Sequence, residues 1–240
     1  MAKLSALKYG PEHLKSASEL ATTQNQPKFA PLPVPALQCV LPQGLPRGII
    51  AEICGRRSSG RTAACLHVLA QATRRGEVCA VIDLYDSFHP ASAQASGVLL
   101  ERLVWIRCQA NAEHAMRAAD LLLHAGGFGV ILLDLCDATA RMLNRISLSY
   151  WHRFRRATEH TPTILLICAE SAQANSCAAV SLRFQPRGSR WTGQSPFLLL
   201  RGIESSIVSE RYKKARGKVL PIRPETGSAQ LYRRFELQEI

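Results

Sequence analysis

The segment with the clearest chemical potential consists of Gly55, Arg56, Arg57, Ser58, Ser59, Gly60, Arg61 and Thr62. It follows an apolar run that predicts a buried strand, and it opens a stretch with helical spacing. Glycines let such a loop curl so that backbone N–H groups face inward, and the N terminus of the helix adds positive potential. All of these residues are therefore predicted to hold phosphate groups, with the Thr62 hydroxyl as a ligand for Mg²⁺.

Position 61 departs from the usual pattern of such loops, because it carries arginine in place of lysine. Lysine is a compact point charge that reaches the β- and γ-phosphates, whereas arginine is a planar fork with a different reach. Arg61 can still attract phosphate, but phosphoryl transfer depends on positioning, and one misplaced group costs about 10²–10³-fold in rate. We expect nucleotide binding without efficient hydrolysis; a loop that keeps its shape but binds nothing is the alternative.

An acidic residue closes the apolar run Ile131-Leu132-Leu133-Asp134. An aspartate at the end of a buried strand holds Mg²⁺ through water in nucleotide sites of this kind. Many strands end in aspartate, so the pattern gains its weight from the upstream loop. Thr62 and Asp134 are the predicted metal ligands, and ATP with Mg²⁺ is the predicted cofactor. The scattered histidines lack metal-ligand spacing, which predicts no other metal site among the side chains.

The composition predicts one α/β domain with a tail at each end. The chain has 240 residues, of which 47% are hydrophobic and 20% charged. Its net charge of +12 favours polyanionic partners such as DNA, although a merely basic protein has the same balance. The eight cysteines form no C-x-x-C pair, which is typical of free thiols in a reducing cytoplasm. We find no signal peptide or membrane-length apolar run, and therefore expect a cytoplasmic protein without membrane contact.

Apolar runs alternate with helical spacing from Gly48 onward, which predicts a mostly parallel sheet covered on both faces. The predicted strands are 49–54, 78–83, 103–107, 130–134 and 163–168, and the predicted helices are 62–75, 112–124 and 139–158. Beyond Ser176, short runs at 178–184, 196–201, 207–212 and 218–222 predict antiparallel strands that extend the same sheet.

Three regions follow from this pattern. Residues 1–38 form a polar N-terminal segment and linker, with a short helix at 11–21 and an extended proline-rich lead-in at 31–35. Residues 39–223 form the core domain, and residues 224–240 form a C-terminal tail.

These features together resemble the bacterial recombinase RecA. The resemblance begins at Leu41-Pro-Gln-Gly-Leu-Pro-Arg-Gly48, passes through 52–62, 79–83 and Ala140-Arg-Met142, and ends near Ile222, which is roughly three quarters of the chain. It implies a RecA-like core, ATP as ligand and DNA as partner. It also implies that Arg216 and Lys218 reach ATP across an interface between protomers; a solvated basic strand is the alternative there.

The departures from RecA imply lost catalysis. Tyr85 stands where the resemblance places a catalytic glutamate, and a phenol cannot act as a base at neutral pH. The stretch Cys168-Ala169-Glu170 replaces an asparagine–glutamine pair that senses the γ-phosphate, and both DNA-binding loops are short. An active DNA-dependent ATPase would need Arg61 and Asp86 to substitute for the lysine and the glutamate.

This pattern of losses is similar to the RecA-like accessory proteins called ImuA, which accompany a Y-family-like protein and an error-prone polymerase in bacterial mutagenesis cassettes. The resemblance implies an accessory role in SOS-induced DNA repair and translesion synthesis. The implied partners are DNA, the error-prone polymerase or the Y-family-like protein, and RecA. A SulA-like cell-division inhibitor is a further alternative, although SulA lacks a recognisable phosphate loop.

Arginines alternate with aromatic residues in the predicted helix 139–158. One face of that helix would carry Arg141, Arg145, His152 and Arg156. This face is predicted to contact a DNA backbone or a partner; a solvated helix with Trp151 and Phe154 in the core is the alternative. Further along, Trp191 lies beside Arg190 and is predicted either to stack on a base or to cap the core.

Overall fold

The computed structural model describes residues 28–32, 35–211 and 219–222. The predicted helix at 11–21 lies outside the described residues, and so do Arg216 and Lys218. The contact of these two side chains with ATP therefore stays a prediction, and so do the region boundaries at 38/39 and 223/224.

The described residues form strands and helices that alternate along the chain. The strands are β1 (Phe29–Ala30), β2 (Leu45–Pro46), β3 (Ile49–Gly55), β4 (Val78–Asp83), β5 (Leu103–Arg107), β6 (Phe128–Asp134), β7 (Ile164–Ala169), β8 (Ala178–Thr192), β9 (Leu199–Arg211) and β10 (Val219–Ile222). The helices are α1 (Pro35–Val40), α2 (Arg61–Arg74), α3 (Pro90–Ala95), α4 (Ala112–Ala125), α5 (Ala140–Leu143) and α6 (Leu148–Thr158), with short 3₁₀ turns at Leu100–Arg102 and Asn175–Cys177.

One eight-stranded sheet lies at the centre, in the order β10-β9-β8-β3-β7-β6-β4-β5. The strands from β8 to β5 in this order run parallel, and β9 and β10 are added antiparallel. The small pair β1 and β2 lies apart from this sheet. The predicted α/β fold, with a mostly parallel sheet extended by antiparallel strands, is confirmed. The five predicted core strands and the helices at 62–75 and 112–124 are each found within about two residues of their predicted ends.

The core lies on both faces of the sheet, because successive strand residues point to opposite faces. On one face Val130, Leu166 and Cys168 pack with residues of α2. On the other face Ile131 and Leu165 pack with residues of α4 and α6. Both faces are covered, as the near-continuous apolar runs predict.

The single helix predicted at 139–158 is wrong, because the chain forms α5 and α6 with a break between them. Ser147 adopts an extended conformation, and its hydroxyl accepts a hydrogen bond from the N–H of Ser149, which starts α6. The predicted shared face therefore does not exist as one helical face, since Arg141 lies in α5 and Arg145 lies in the break, whereas His152 and Arg156 lie in α6. Trp151 and Phe154 are buried, which favours the alternative that placed them in the core.

Of the four short strands predicted beyond residue 176, the one at 218–222 is found as β10, which pairs antiparallel with β9. The other three fall within one long hairpin, β8–β9. Inside β8 a bulge shifts the register between Pro186 and Gly188. The predicted strand at 178–184 forms the first part of β8, and it pairs with β3 in the parallel direction, not the predicted antiparallel one. The outer half of the hairpin, residues 186–201, is exposed on every residue and projects from the sheet.

The extended lead-in predicted at 31–35 is wrong at its end, because α1 begins at Pro35. Proline is accepted in the first turn of a helix, where its missing N–H needs no partner. Within the described part of the chain, no helix is long and apolar enough to cross a membrane.

A buried acid in β3 anchors the turn between β7 and β8. Glu52 is 1% exposed, and its Oε1 accepts hydrogen bonds from the N–H groups of Gln173 and Ala174, both at 2.7 Å. Burial raises the pKa of Glu52, and these two bonds oppose the shift. Glu52 therefore holds the short connection between β7 and β8 in place.

Candidate functional site

A cavity of about 480 Å³ opens where the carboxyl ends of the parallel strands meet the start of α2. Ligands of open α/β sheets bind at this edge. Seven of the predicted site residues line the cavity: Arg57, Ser58, Ser59, Gly60, Arg61, Thr62 and Asp134. Two others, Gly55 and Arg56, line a neighbouring cavity of about 490 Å³ together with Glu170 and Arg183. The structure thus divides the predicted loop between two adjacent spaces.

Two glycines are required by the shape of the loop. A side chain at Gly55 would place its Cβ 2.5 Å from both the carbonyl oxygen of Phe184 and Oγ of Ser59. Gly60 has φ of 87° and directly precedes α2, a left-handed conformation that costs other residues energy. The predicted role of these glycines in curling the backbone therefore agrees with the geometry.

The N terminus of α2 faces the cavity. No side chain of the described residues caps it, so the first N–H groups of the helix are free of a capping acceptor. Ser58 and Thr62 are exposed at this end, whereas Ser59 is buried. Free N–H groups and the positive end of the helix dipole favour an anion at this position.

The Arg61 side chain forms a hydrogen bond with the backbone of its own loop. The residue is 6% exposed, and its Nη1 donates a hydrogen bond to the carbonyl oxygen of Gly55. A guanidinium carries five N–H donors, so the remaining ones can meet a second acceptor in the cavity. The arginine therefore stabilises the curled loop.

Arg57 links the loop to the segment after β6. Its guanidinium is exposed and forms an ion pair with Asp137 at 2.7 Å. Both residues line the cavity. An exposed pair of this kind contributes little to stability, so its effect is on the position of the loop.

Asp134 is the acid at the end of β6 and is 9% exposed. One carboxylate oxygen accepts the N–H of Cys136 at 2.9 Å, and the other accepts the Ser87 hydroxyl at 3.4 Å. Burial raises the pKa of Asp134; Asp83 adds to this shift, and the N–H of Cys136 opposes it. A buried carboxylate with so few partners is a strong candidate for binding a cation.

Asp83, the neighbouring acid at the end of β4, is already occupied by the protein. It accepts the N–H groups of Ser87 and Phe88 at 3.0 and 2.9 Å, and Nε1 of Trp105 at 3.2 Å. Asp83 therefore holds the chain that leaves β4, whereas Asp134 retains capacity for a ligand.

The residues of this cavity fit a nucleotide with Mg²⁺. Thr62 supplies a hydroxyl and Asp134 a carboxylate, and oxygen ligands of this kind are those that Mg²⁺ prefers. The curled loop and the uncapped start of α2 supply N–H donors for phosphate oxygens.

Residues 35–144 match the RecA N-terminal domain. The matched region contains the loop, α2, β4 and Asp134. The RecA proteins of Rickettsia massiliae (strain Mtu5) and Rickettsia bellii (strain RML369-C) are each 40% identical to this chain over 91 residues. These alignments cover 38% of this chain and 26% of each relative, so the chain matches about a quarter of the length of either protein.

The fold extends the likeness beyond that region. The crystal structure of the RadB recombinase superposes with a TM-score of 0.60, covering 80% of this chain and 94% of that one, at 16% identity. The chain thus has a RecA-like fold.

Tyr85, which the resemblance aligns with a catalytic glutamate, does not line the cavity. The Tyr85 hydroxyl donates a hydrogen bond to Sδ of Met142 at 3.8 Å. The Tyr85 ring packs against the core on the sheet face that α4 and α6 cover. Asp86 forms a bidentate pair with Arg107, with both bonds at 2.9 Å, and this contact lowers its pKa. Neither Tyr85 nor Asp86 lines the cavity, where Asp134 and Asp137 are the acidic residues of the described chain.

Several residues of this RecA-like site were not predicted from the sequence. Ser87, Phe88, His89 and Ser92 line the cavity from the segment after β4. The sequence does contain a signal for these residues, because their segment follows a parallel strand and so begins at the ligand-binding edge of the sheet.

Ser205 on β9 had no such signal. Its hydroxyl donates a 2.8 Å hydrogen bond to the carbonyl oxygen of Ser59 in the loop. The contact joins positions 146 residues apart and depends on the register of the hairpin.

Proposed function

We propose that this chain is a RecA-like protein that binds ATP with Mg²⁺ and hydrolyses it weakly or not at all. The observation that carries the proposal is the meeting of two groups in one cavity. The uncapped N terminus of α2 supplies donors for phosphate, and the buried carboxylate of Asp134 supplies a cation ligand. Phosphate and Mg²⁺ enter such a site together.

The loop is held in its binding shape from two sides. Arg61 bonds to the carbonyl oxygen of Gly55, and Ser205 bonds to the carbonyl oxygen of Ser59. A preformed loop binds its ligand without the cost of ordering the backbone. This rigidity supports binding by the loop over the alternative of a relic that binds nothing.

Weak hydrolysis is supported by the positions of Tyr85 and Asp86, which do not line the cavity. Tyr85 contacts Met142, and Asp86 is held by Arg107, so neither reaches the cavity. Arg61 is committed to the backbone of its own loop. Phosphoryl transfer needs a positioned base and a positioned cation, and both are altered in this chain.

We further propose that the protein acts on DNA in the cytoplasm, as an ImuA-like accessory factor in SOS-induced translesion repair. The net charge of +12 supports a polyanionic partner. The projecting β8–β9 hairpin carries an exposed Trp191 among Arg187, Arg190 and Arg201. The proposed protein partners are an error-prone polymerase, a Y-family-like repair protein and RecA.

Thermal unfolding with and without nucleotide tests the binding proposal. A ligand at about 100 times its Kd stabilises the folded state by about 2.7 kcal/mol, so Mg–ATP is expected to raise Tm by several degrees. Asp134→Ala is expected to lose the part of the shift that depends on Mg²⁺. If Tm does not move at millimolar Mg–ATP, the loop is a structural remnant and the proposal fails.

A further inference from the structure

Two thiols and one carboxylate converge at the inner wall of the cavity. Cys136, Cys168 and Asp134 are all buried and all line it. The Sγ atoms of Cys136 and Cys168 lie 3.3 Å apart. One ligand atom from each of Asp134, Cys136 and Cys168 lies within 4.8 Å of the other two. A third buried thiol, Cys65, lines the same cavity from α2.

The fold itself brings these side chains together. Asp134 ends β6 and is the register partner of Cys168 in β7, and Cys136 follows Asp134 by two residues. The N–H of Leu135 bonds to the carbonyl oxygen of Cys168 at 2.8 Å, which fixes the two strand ends. Cys168 points to the sheet face that α2 covers, where Cys65 lies one turn into the helix.

The chemistry of the two thiols suits a thiophilic cation. A cysteine thiol is ordinarily protonated at neutral pH, and a protonated thiol is a poor nucleophile for disulfide formation. A cation that prefers sulfur replaces the thiol proton.

We propose that Cys136, Cys168 and Asp134 form a binding site for a thiophilic divalent cation of the Zn²⁺ class, with the fourth ligand position open to the cavity. Zn²⁺ takes four ligands in a tetrahedron, with Zn–S near 2.3 Å and Zn–O of about 2.0–2.2 Å. Two sulfurs in such a tetrahedron lie about 3.8 Å apart. The pair at 3.3 Å must therefore open by only about half an ångström. On binding, each coordinated thiol and any protonated carboxyl releases its proton to solvent.

Arg61 supplies the counter-charge. Two thiolates and one carboxylate around Zn²⁺ leave one excess negative charge. Arg61 is 6% exposed and lines the same cavity, so its positive charge can offset this excess. An arginine is always charged and weakly hydrated, which suits a buried position beside such a cluster.

The three ligands come from the end of β6, from the segment after it and from β7, so no short sequence motif contains all of them, and local spacing predicts no metal site here. Asp134 belongs both to this cluster and to the proposed Mg²⁺ site, and one carboxylate cannot serve both ions fully. Bound Zn²⁺ is therefore expected to weaken binding of Mg–ATP, a consequence that rests on the proposed function.

Titration of the full chain with Co²⁺ and Zn²⁺, after treatment with a chelator and a reductant, tests the site directly. We expect one equivalent of Co²⁺ to give thiolate-to-cobalt charge-transfer absorption together with the intense d–d bands of tetrahedral cobalt, and Zn²⁺ to displace it. Cys136→Ser and Cys168→Ser are expected to weaken Zn²⁺ binding at least about 10-fold. Cys79→Ser is the matched control, because Cys79 is equally buried and lies outside the cluster.

Far-ultraviolet circular dichroism establishes that each variant is folded, and Asp134→Asn provides a variant of unchanged size if a serine variant unfolds. The proposal is overturned by the absence of stoichiometric binding, by a cobalt spectrum without thiolate bands, or by an equal loss in Cys79→Ser. These titrations contain no nucleotide, so their failure is distinct from a failure of ATP binding. In a separate titration, Mg–ATP affinity that is unchanged by saturating Zn²⁺ would contradict the shared use of Asp134.

Discussion

The guanidinium of Arg61 donates a hydrogen bond to the carbonyl oxygen of Gly55, six residues earlier in the same loop. The bond commits to the protein backbone a side chain that occupies the position of the phosphate-binding lysine in related loops. Arg61 is thereby a structural part of the loop as well as a positive charge beside Asp134.

Replacement of Arg61 separates these two roles. Arg61→Ala is expected to lower the free energy of unfolding by about 1–3 kcal/mol, because the buried carbonyl of Gly55 loses its donor. Arg61→Lys is expected to keep nucleotide binding within about 10-fold without restoring turnover, because Tyr85 and Asp86 remain turned away. Urea unfolding and ATP turnover measure the two effects. Arg56→Ala, at an exposed position of the same loop, is the control for stability. Robust turnover by Arg61→Lys would show that Tyr85 in place of a glutamate does not prevent hydrolysis.

Ser205 on β9 is expected to increase nucleotide affinity, because its hydrogen bond supports the loop. Ser205→Ala removes the 2.8 Å bond to the carbonyl oxygen of Ser59 and is expected to weaken Mg–ATP binding about 5-fold, which corresponds to roughly 1 kcal/mol. Ser209→Ala is the matched control, because Ser209 lies buried on the same strand and its Oγ has no hydrogen-bond partner in the described residues. Isothermal titration compares the two variants, and equal affinities would show that the loop needs no support from β9.

Glu52 gives the fold a dependence on pH whose sign follows from its raised pKa. An acid with a raised pKa in the folded state stabilises the fold most when protonated, so its contribution falls as the pH rises above about 4.5 through the folded value. Glu52→Gln keeps an acceptor for Gln173 and Ala174 and removes the buried charge.

We therefore expect Glu52→Gln to equal or exceed the wild-type protein in stability at pH 7 and to lose this part of the pH dependence. Glu52→Ala leaves two N–H groups unpaired and is expected to cost about 2 kcal/mol or more. Chemical unfolding at several pH values measures both variants. A Gln variant as unstable as the Ala variant would show that the carboxylate charge itself is needed.

The exposed Trp191 is expected to contribute to binding of single-stranded DNA. It is 53% exposed and its Nε1 bonds to Ser189 on the same strand, so its ring is available for stacking. Trp191→Ala is expected to cost about 1–3 kcal/mol in affinity, and raised salt is expected to weaken binding of the wild-type protein. Fluorescence anisotropy with a labelled oligonucleotide measures this, with the exposed Leu121→Ala on α4 as control. Equal affinities of the two variants would rule out stacking by Trp191.

The central strands and the phosphate loop could be predicted because their signals are local. The apolar run at β3, the glycines at 55 and 60 and the helical spacing after them lie within a few residues of one another. Asp134 was found in the same way, because an acid at the end of an apolar run is visible in one short segment. The break before α6 was missed because the effect of a single serine cap at Ser147 competes with an otherwise helical pattern.

The remaining parts of the site depend on contacts between distant segments. Ser205 reaches Ser59 only in the observed register of β8 and β9, which the bulge near Pro186 shifts. Cys136 and Cys168 meet because β6 and β7 are neighbours in the sheet, although 32 positions separate the two residues in the sequence. No local pattern encodes either contact, so the structure was needed to find them.

The central claim is that this chain binds Mg–ATP and leaves it intact. The most direct measurement is equilibrium binding of labelled ATP with Mg²⁺ and single-stranded DNA, followed by analysis of the bound nucleotide for hydrolysis. The account predicts saturable binding, intact ATP in the complex and turnover at or below about 10⁻³ per second, the range of unassisted phosphate-loop enzymes. Turnover near 1 per second or faster that depends on DNA and is abolished by Asp134→Ala would contradict it, as would the absence of binding at millimolar ATP.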